Sequence, residues 1–153
     1  MVNDFGSGSD TTCVGSMAPI EPAREAFAEA LHALSAAAWN ARDNAHVIGR
    51  TRVGSAVLSA SGRLYAGCNV EHRFRCHDVH AEVNALTSMV TGGDNTVVAM
   101  LIVAERDFFM PCGGCLDWVF ELGSGSTLIG FQSQREAQVE LRYARELMPH
   151  YPR

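Results

Sequence analysis

The hydrophobic period of the chain changes several times, and each change marks an element. Over residues 22–44, Phe27, Ala30, Leu31, Leu34 and Ala38 recur at helical spacing. That predicts an amphipathic helix lying on a core, with Pro22 in its first turn. Residues 53–59 and 64–70 are short apolar runs separated by Ala60-Ser61-Gly62-Arg63, which predicts a hairpin with a Gly turn. Asp78 is a good N-cap for a helix over 79–90, closed by Gly92-Gly93-Asp94-Asn95. Residues 96–104 are almost all apolar and rich in β-branched side chains, so a central strand buried on both faces is expected. Pro111 opens a further helix to about Leu122, and Gly123-Ser124-Gly125 stops it. Strands follow at 126–132 and 138–143. Only residues 133–137 connect them, too few for a parallel return, so this last pair is expected to be antiparallel. The order α-β-β-α-β-α-β-β predicts an α/β fold, a three-layer α/β/α sandwich with a mixed five-stranded sheet.

Residues 1–18 are rich in Gly, Ser, Thr and Asp without a hydrophobic period, and read as a disordered tail. Residues 19–153 read as a single domain. Hydrophobic residues make up 47% of the chain, enough for a sizeable core. A net charge of −5 and the lack of any basic cluster argue against nucleic acid and for a small-molecule partner. No apolar run reaches the length of a membrane span, and no basic-then-apolar leader stands at the N-terminus. A cytoplasmic location with no membrane partner is therefore expected. Five cysteines are an odd number and two of them form C-x-x-C, so no disulfide framework is expected; Cys13, Cys68 and Cys76 read as free thiols.

The candidate chemistry lies in His80-Ala81-Glu82 and Pro111-Cys112-Gly113-Gly114-Cys115. Two thiolates and an imidazole suit zinc, and three protein ligands leave a fourth position open for water. Glu82, beside a ligand but not one itself, is a candidate proton shuttle. Cys112 and Cys115 are three apart, share a helix face, and stand at a helix N-terminus, where the dipole favours thiolates. One relation does not follow from spacing. Residues i and i+2 of a helix point in roughly opposite directions, so His80 and Glu82 meet only if the helix start is irregular. Other readings remain open. A lone His-x-Glu is common, a lone C-x-x-C at a strand-to-helix junction also fits a thiol redox pair, and a structural zinc would draw a fourth ligand from Cys76, His77 or Asp78.

Taken jointly, H-x-E followed by P-C-x-x-C is the zinc deaminase pattern, and from residue 53 to 151 the chain resembles the cytidine deaminase family. Val53-Gly54-Ser55-Ala56 is similar to the family's V-G-A-A strand, and Gly67-Cys68-Asn69-Val70-Glu71 to its G-x-N-x-E strand end. The step from Asn69 to His80 equals the family's step to its first zinc ligand. Pro111 to Cys115 matches P-C-G-x-C, and Glu146-Leu147-Met148-Pro149 is similar to E-L-L-P, with Tyr151 where an aromatic residue often lies. The resemblance implies a zinc-dependent hydrolytic deaminase acting at C4 of cytidine, deoxycytidine or a related cytosine nucleoside. His80, Cys112 and Cys115 would hold Zn2+, and Glu82 would shuttle protons as ammonia leaves. Asn69 and Glu71 would hold sugar hydroxyls, the backbone around Ala81 would read the base edge, and Tyr151 would join the substrate site. A homo-oligomer is implied, a tetramer ahead of a dimer.

Three positions depart from the family. His80 stands where the small tetrameric members have Cys, although the larger dimeric ones use His. Leu116 replaces an Arg that follows the last ligand. Thr51 replaces a Phe near the substrate, with Phe74, Phe108, Phe109 and Trp118 as candidate aromatic walls. The departures cluster around the pocket. A modified nucleoside of the blasticidin S kind, or another aminated heterocycle, is therefore an alternative substrate, and a binding protein without turnover is a further alternative. The loop Arg73-Phe74-Arg75 is either a solvated loop or a contact for an acidic substituent.

Overall fold

A computed structural model describes residues 20–107 and 109–151; the expected tail, Cys13 and Phe108 lie outside the described residues. The chain folds as helix α1 (Ile20–Asp43), strands β1 (Gly54–Ser59) and β2 (Leu64–Cys68), helix α2 (Ala81–Thr91), strand β3 (Val97–Val103), helix α3 (Gly113–Leu122), strands β4 (Leu128–Gln132) and β5 (Glu140–Tyr143), and the short helix α4 (Ala144–Leu147). The five strands form one sheet in the order β2-β1-β3-β4-β5. Only β3 and β4 run parallel, with α3 as their crossover, and the short last connection does give an antiparallel β4–β5 pair.

Strand β3 shows why the sheet needs helices on both sides. Met100 and Ile102 enter one core with Ala85, Leu86 and Met89 of α2 and with Leu116 and Val119 of α3. Leu101 and Val103 enter the other, with Phe27, Leu34, Ala38 and Trp39 of α1. Alternation along the strand sends successive side chains to opposite faces. A nearly all-apolar strand therefore demands two apolar partners, which is the three-layer sandwich.

Two glycines set how closely the helices approach. A Cβ on Gly54 would collide with the Ala38 carbonyl oxygen of α1, and one on Gly67 would collide with the Ala85 amide of α2. Gly67 pairs with Ser55, next to Gly54, so the two contacts fall side by side on opposite faces of the sheet. Only glycine permits this backbone-to-backbone packing.

The hairpin turn is tied to the far end of α2 by one carboxylate. Asp94 Oδ2 accepts from Ser59 and Ser61 at 2.7 Å and from Tyr65 and Arg63 at 2.9 Å. These donors, the Arg63 guanidinium foremost, hold its carboxyl well below the usual carboxylate range. No helix among the described residues is long and apolar enough to cross a membrane.

Candidate metal centre and cleft

The start of α2 differs from the sequence expectation, and the difference matters chemically. The helix begins at Ala81 with His80 as its N-cap, not at Val79 capped by Asp78. Val79 is held extended because its N–H and carbonyl both pair with Val70, at 2.9 Å each. Asp78 is used elsewhere: it accepts from the His72 amide at 2.7 Å and pairs with Arg75 Nε at 2.9 Å. His80 accordingly has extended backbone, φ −75° and ψ 152°, and its side chain makes no cap hydrogen bond. The rule that i and i+2 diverge on a helix does not govern a residue outside the helix. The irregular start that the pattern required is present.

The second loop repeats the device. Pro111 lies before the helix, Cys112 is the N-cap of α3 with φ −71° and ψ 166°, and Cys115 sits in the first turn. The leading turns of α2 and α3 thereby meet. His80 Nδ1 lies 3.3 Å from Cys115 Sγ and 3.5 Å from Cys112 Sγ, and the two sulfurs are 3.5 Å apart. Tetrahedral zinc with bonds of about 2.3 Å to sulfur and about 2.0 Å to nitrogen separates its ligand atoms by roughly 3.5–3.8 Å. The triangle is thus close to the required size, and its donors are the soft thiolates and imidazole that zinc favours. Among the described residues, this is the group of His, Cys, Asp and Glu side chains placed to hold a metal ion. Cys76, His77 and Asp78 do not belong to it, so among the described residues no side chain takes a fourth position.

Glu82 is 2% exposed, the second residue of α2, and its carboxyl interacts with the Cys115 thiol. Burial pushes Glu82 above its ordinary value, against the nearby His80 and its hydrogen bonds to its own amide and to Cys115. Burial likewise pushes the Cys115 thiol up, reinforced by Glu82 and Cys112. A cation bound there would stabilise the anions of both acids.

The centre opens into a cleft of about 280 Å³ between the loops. Thr51, Val53, Asn69, Glu71, His80, Ala81 and Glu82 line it, as do Arg75, Arg106 and Phe109 from the two flanking loops. Of the candidate aromatic walls, Phe109 faces the cleft; Phe74 and Trp118 are exposed away from it. Asn69 and Glu71 are present but already engaged. Asn69 Oδ1 accepts from the Val53 amide at 2.8 Å and its Nδ2 donates to the Thr51 carbonyl at 3.0 Å. Glu71 Oε2 accepts from the Ile48 and Gly49 amides at 2.6 Å and ion-pairs with Arg75 at 2.8 Å. Tyr151 lies outside the cleft lining. It stacks on Phe120 with ring centroids 4.2 Å apart and donates to Asp117, so it clamps the chain end to α3. Leu116 is buried in the core between α2 and α3 rather than turned to the thiols. Arg106 is the lining residue that no motif signalled, for it sits in a loop without helical or strand period.

A histidine and two cysteines of suitable size, a buried carboxyl beside them and a cleft leading in define a zinc site of the hydrolytic kind. The model of the cytidine and deoxycytidylate deaminase zinc-binding region matches residues 28–131, a span that holds all four of these side chains. The chain is 29% identical over 118 residues to a cytidine deaminase of Sporosarcina psychrophila, covering 76% of this chain and 86% of that one. It is 28% identical over 112 residues to cytidine deaminase 3 of Arabidopsis thaliana, where it covers 67% of this chain but 48% of the relative. Among solved structures it is similar to the cytidine deaminase of Burkholderia pseudomallei, with a TM-score of 0.71, 30% identity, and coverage of 78% of this chain and 96% of that one. The Mycobacterium tuberculosis cytidine deaminase gives a TM-score of 0.67 at 26% identity, covering 78% and 94%. The chain belongs to the cytidine and deoxycytidylate deaminase family. It is a zinc-dependent hydrolytic deaminase.

Proposed function

We propose that this deaminase removes the C4 amino group of cytidine, deoxycytidine or a closely related cytosine nucleoside. The observation that carries the reading is the buried Glu82 carboxyl set beside His80 and Cys115 at the inner end of one cleft. His80, Cys112 and Cys115 would hold zinc, which when bound supplies Lewis-acid activation of water. Glu82 suits the proton work, since burial raises its proton affinity toward that of the groups it serves. Ionised Glu82 accepts one proton from the attacking water and passes it to ring N3, then takes the second water proton from the C4 hydroxyl and passes it to the departing nitrogen. Water's oxygen joins C4, the C4–N bond breaks, and ammonia and the oxo-pyrimidine are the products. The Ala81 backbone, at the first turn of α2 and on the cleft wall, presents peptide groups to the base edge.

Asn69 and Glu71 take the sugar end. Asn69 has a second amide hydrogen to offer, and among the described residues Glu71 Oε1 receives only Arg75 Nη2 at 3.1 Å, which leaves room for a hydroxyl. The working form is taken to be a homo-oligomer, a tetramer ahead of a dimer. In its support, the large apolar side chains of Ile48, Val70, Phe74 and Val79 are exposed on the protein surface. Light scattering on the eluting protein reads that state directly. The chemistry is tested by ammonia release from cytidine, deoxycytidine, blasticidin S and other aminated heterocycles. Release from a cytosine nucleoside that disappears in Glu82→Ala supports the reading; release from none of them sinks it.

A further inference from the structure

The donors that hold Glu71 are shared unequally between its two oxygens. Oε2 accepts from the Ile48 and Gly49 amides at 2.6 Å each and pairs with Arg75 Nη1 at 2.8 Å. Among the described residues Oε1 accepts only from Arg75 Nη2, at 3.1 Å. Two amides that land on one oxygen fix that atom and leave the other free to swing about it. The second nitrogen of Arg75 removes this freedom, because a guanidinium paired through two nitrogens holds a carboxylate in its own plane. The fork is itself anchored. Arg75 Nε pairs with Asp78 Oδ2 at 2.9 Å, and Asp78 Oδ1 accepts from the His72 amide at 2.7 Å. Arg75 thereby ties together the two ends of the loop between β2 and α2, and two carboxylates within that loop answer its charge. The acidic-substituent role that the Arg73-Phe74-Arg75 loop suggested is met by the protein's own side chains. The Glu71 side chain is only 10% exposed, and it lines the cleft together with Arg75. Arg75 first, then the Gly49 amide, keep its carboxyl well below the ordinary value, so it is an anion with acceptors and no donor.

We propose that Arg75 is a positioning residue: it fixes the plane of the Glu71 carboxylate, and with it the direction of the acceptor that the cleft offers to a sugar hydroxyl. Oε1 meets the hydroxyl only while the fork holds it in place, so discrimination between sugars resides in Arg75 as much as in Glu71. The inference rests on the cytosine-nucleoside reading above, in which Glu71 takes the sugar end.

The test compares zinc-loaded wild type, Arg75→Lys and Arg75→Ala at neutral pH on cytidine, 2′-deoxycytidine and 3′-deoxycytidine. For each pair, kcat, KM and equilibrium binding are measured. Arg75→Lys is the deciding variant, since a lysine supplies a point charge but no fork. Wild type should lose about tenfold or more in KM when one of the two hydroxyls is removed. In both variants that difference should collapse, because cytidine weakens to the level of the poorer analogue while kcat and zinc content stay near those of wild type. An Arg75→Lys variant that keeps the wild-type discrimination overturns the proposal, for charge alone then suffices. So does a wild type that handles the three compounds alike, and so do variants that weaken all three equally, as loss of a merely structural loop contact would. If no compound is deaminated, the reading of the reaction falls, while the binding measurements still decide the role of Arg75. A wild type that binds none of the three overturns both.

Discussion

The Arg75 guanidinium grips Glu71 with two nitrogens, Nη1 at 2.8 Å from Oε2 and Nη2 at 3.1 Å from Oε1, four residues along the same loop. Arg75 and the Ile48 and Gly49 amides bring the Glu71 carboxyl down to about 2 from 4.5. A depressed carboxylate stabilises the fold above its unfolded value and loses that contribution as pH falls through its folded value. The loop that walls the cleft should therefore keep this pair down to about pH 4.5 and shed it progressively toward pH 2. In Arg75→Ala the Glu71 carboxyl should titrate clearly higher, read by NMR of the labelled side chain. An unchanged titration midpoint would show that the amides alone hold it.

Glu82→Gln keeps the size of the side chain and removes its proton traffic. It should lower kcat by about 10²–10⁴ while zinc content stays near that of the wild type. Loss of metal together with activity would make Glu82 a structural member of the centre instead.

Cys112→Ser, Cys115→Ser and His80→Ala should each reduce zinc below the roughly one ion per chain expected of the parent, measured by elemental analysis. Cys115 is buried and Cys112 is exposed, so Cys115→Ser should also lower the melting temperature more. Chelation of the parent should lower its melting temperature too, because the metal joins the first turns of two helices. A chelated protein that melts unchanged would contradict this coupling.

Gly67→Ala tests the support of the centre rather than the centre. The added methyl meets the backbone of α2 at Ala85, so the helix must move outward. The expected cost is about 1–3 kcal/mol of stability, with weaker zinc retention because His80 and Glu82 ride on that helix. Thermal melting and competition with a chelator measure the two effects separately.

What was legible in the chain was whatever depends on local period. The apolar run of β3, the amphipathic stripe of α1 and the short connection before β5 each dictate their outcome almost alone. The candidate metal ligands stood out for another reason, since C-x-x-C and H-x-E each fall at the start of a helix. The start of α2 was misplaced because Val79 pairs with Val70, a partner nine residues away that no local propensity reveals. The same pairing answers how His80 and Glu82 share a site. Arg106 was beyond reach for a similar reason. It leans on Phe109, and that contact leaves no trace in spacing.

Gly54 and Gly67 have a consequence beyond stability. With α1 and α2 pressed to the backbone on opposite faces of neighbouring strands, the reaction centre sits on material that has no room to drift. The loops at 46–52 and 71–79 and the one around Arg106 and Phe109 are held by side-chain bonds rather than by such a backbone pinch, and they supply Thr51, Arg75, Arg106 and Phe109 to the cleft. The molecule is thus divided into a fixed anvil and an interchangeable rim. Efforts to redirect it toward new substrates should spend their diversity on those three loops and leave the pinched strands alone.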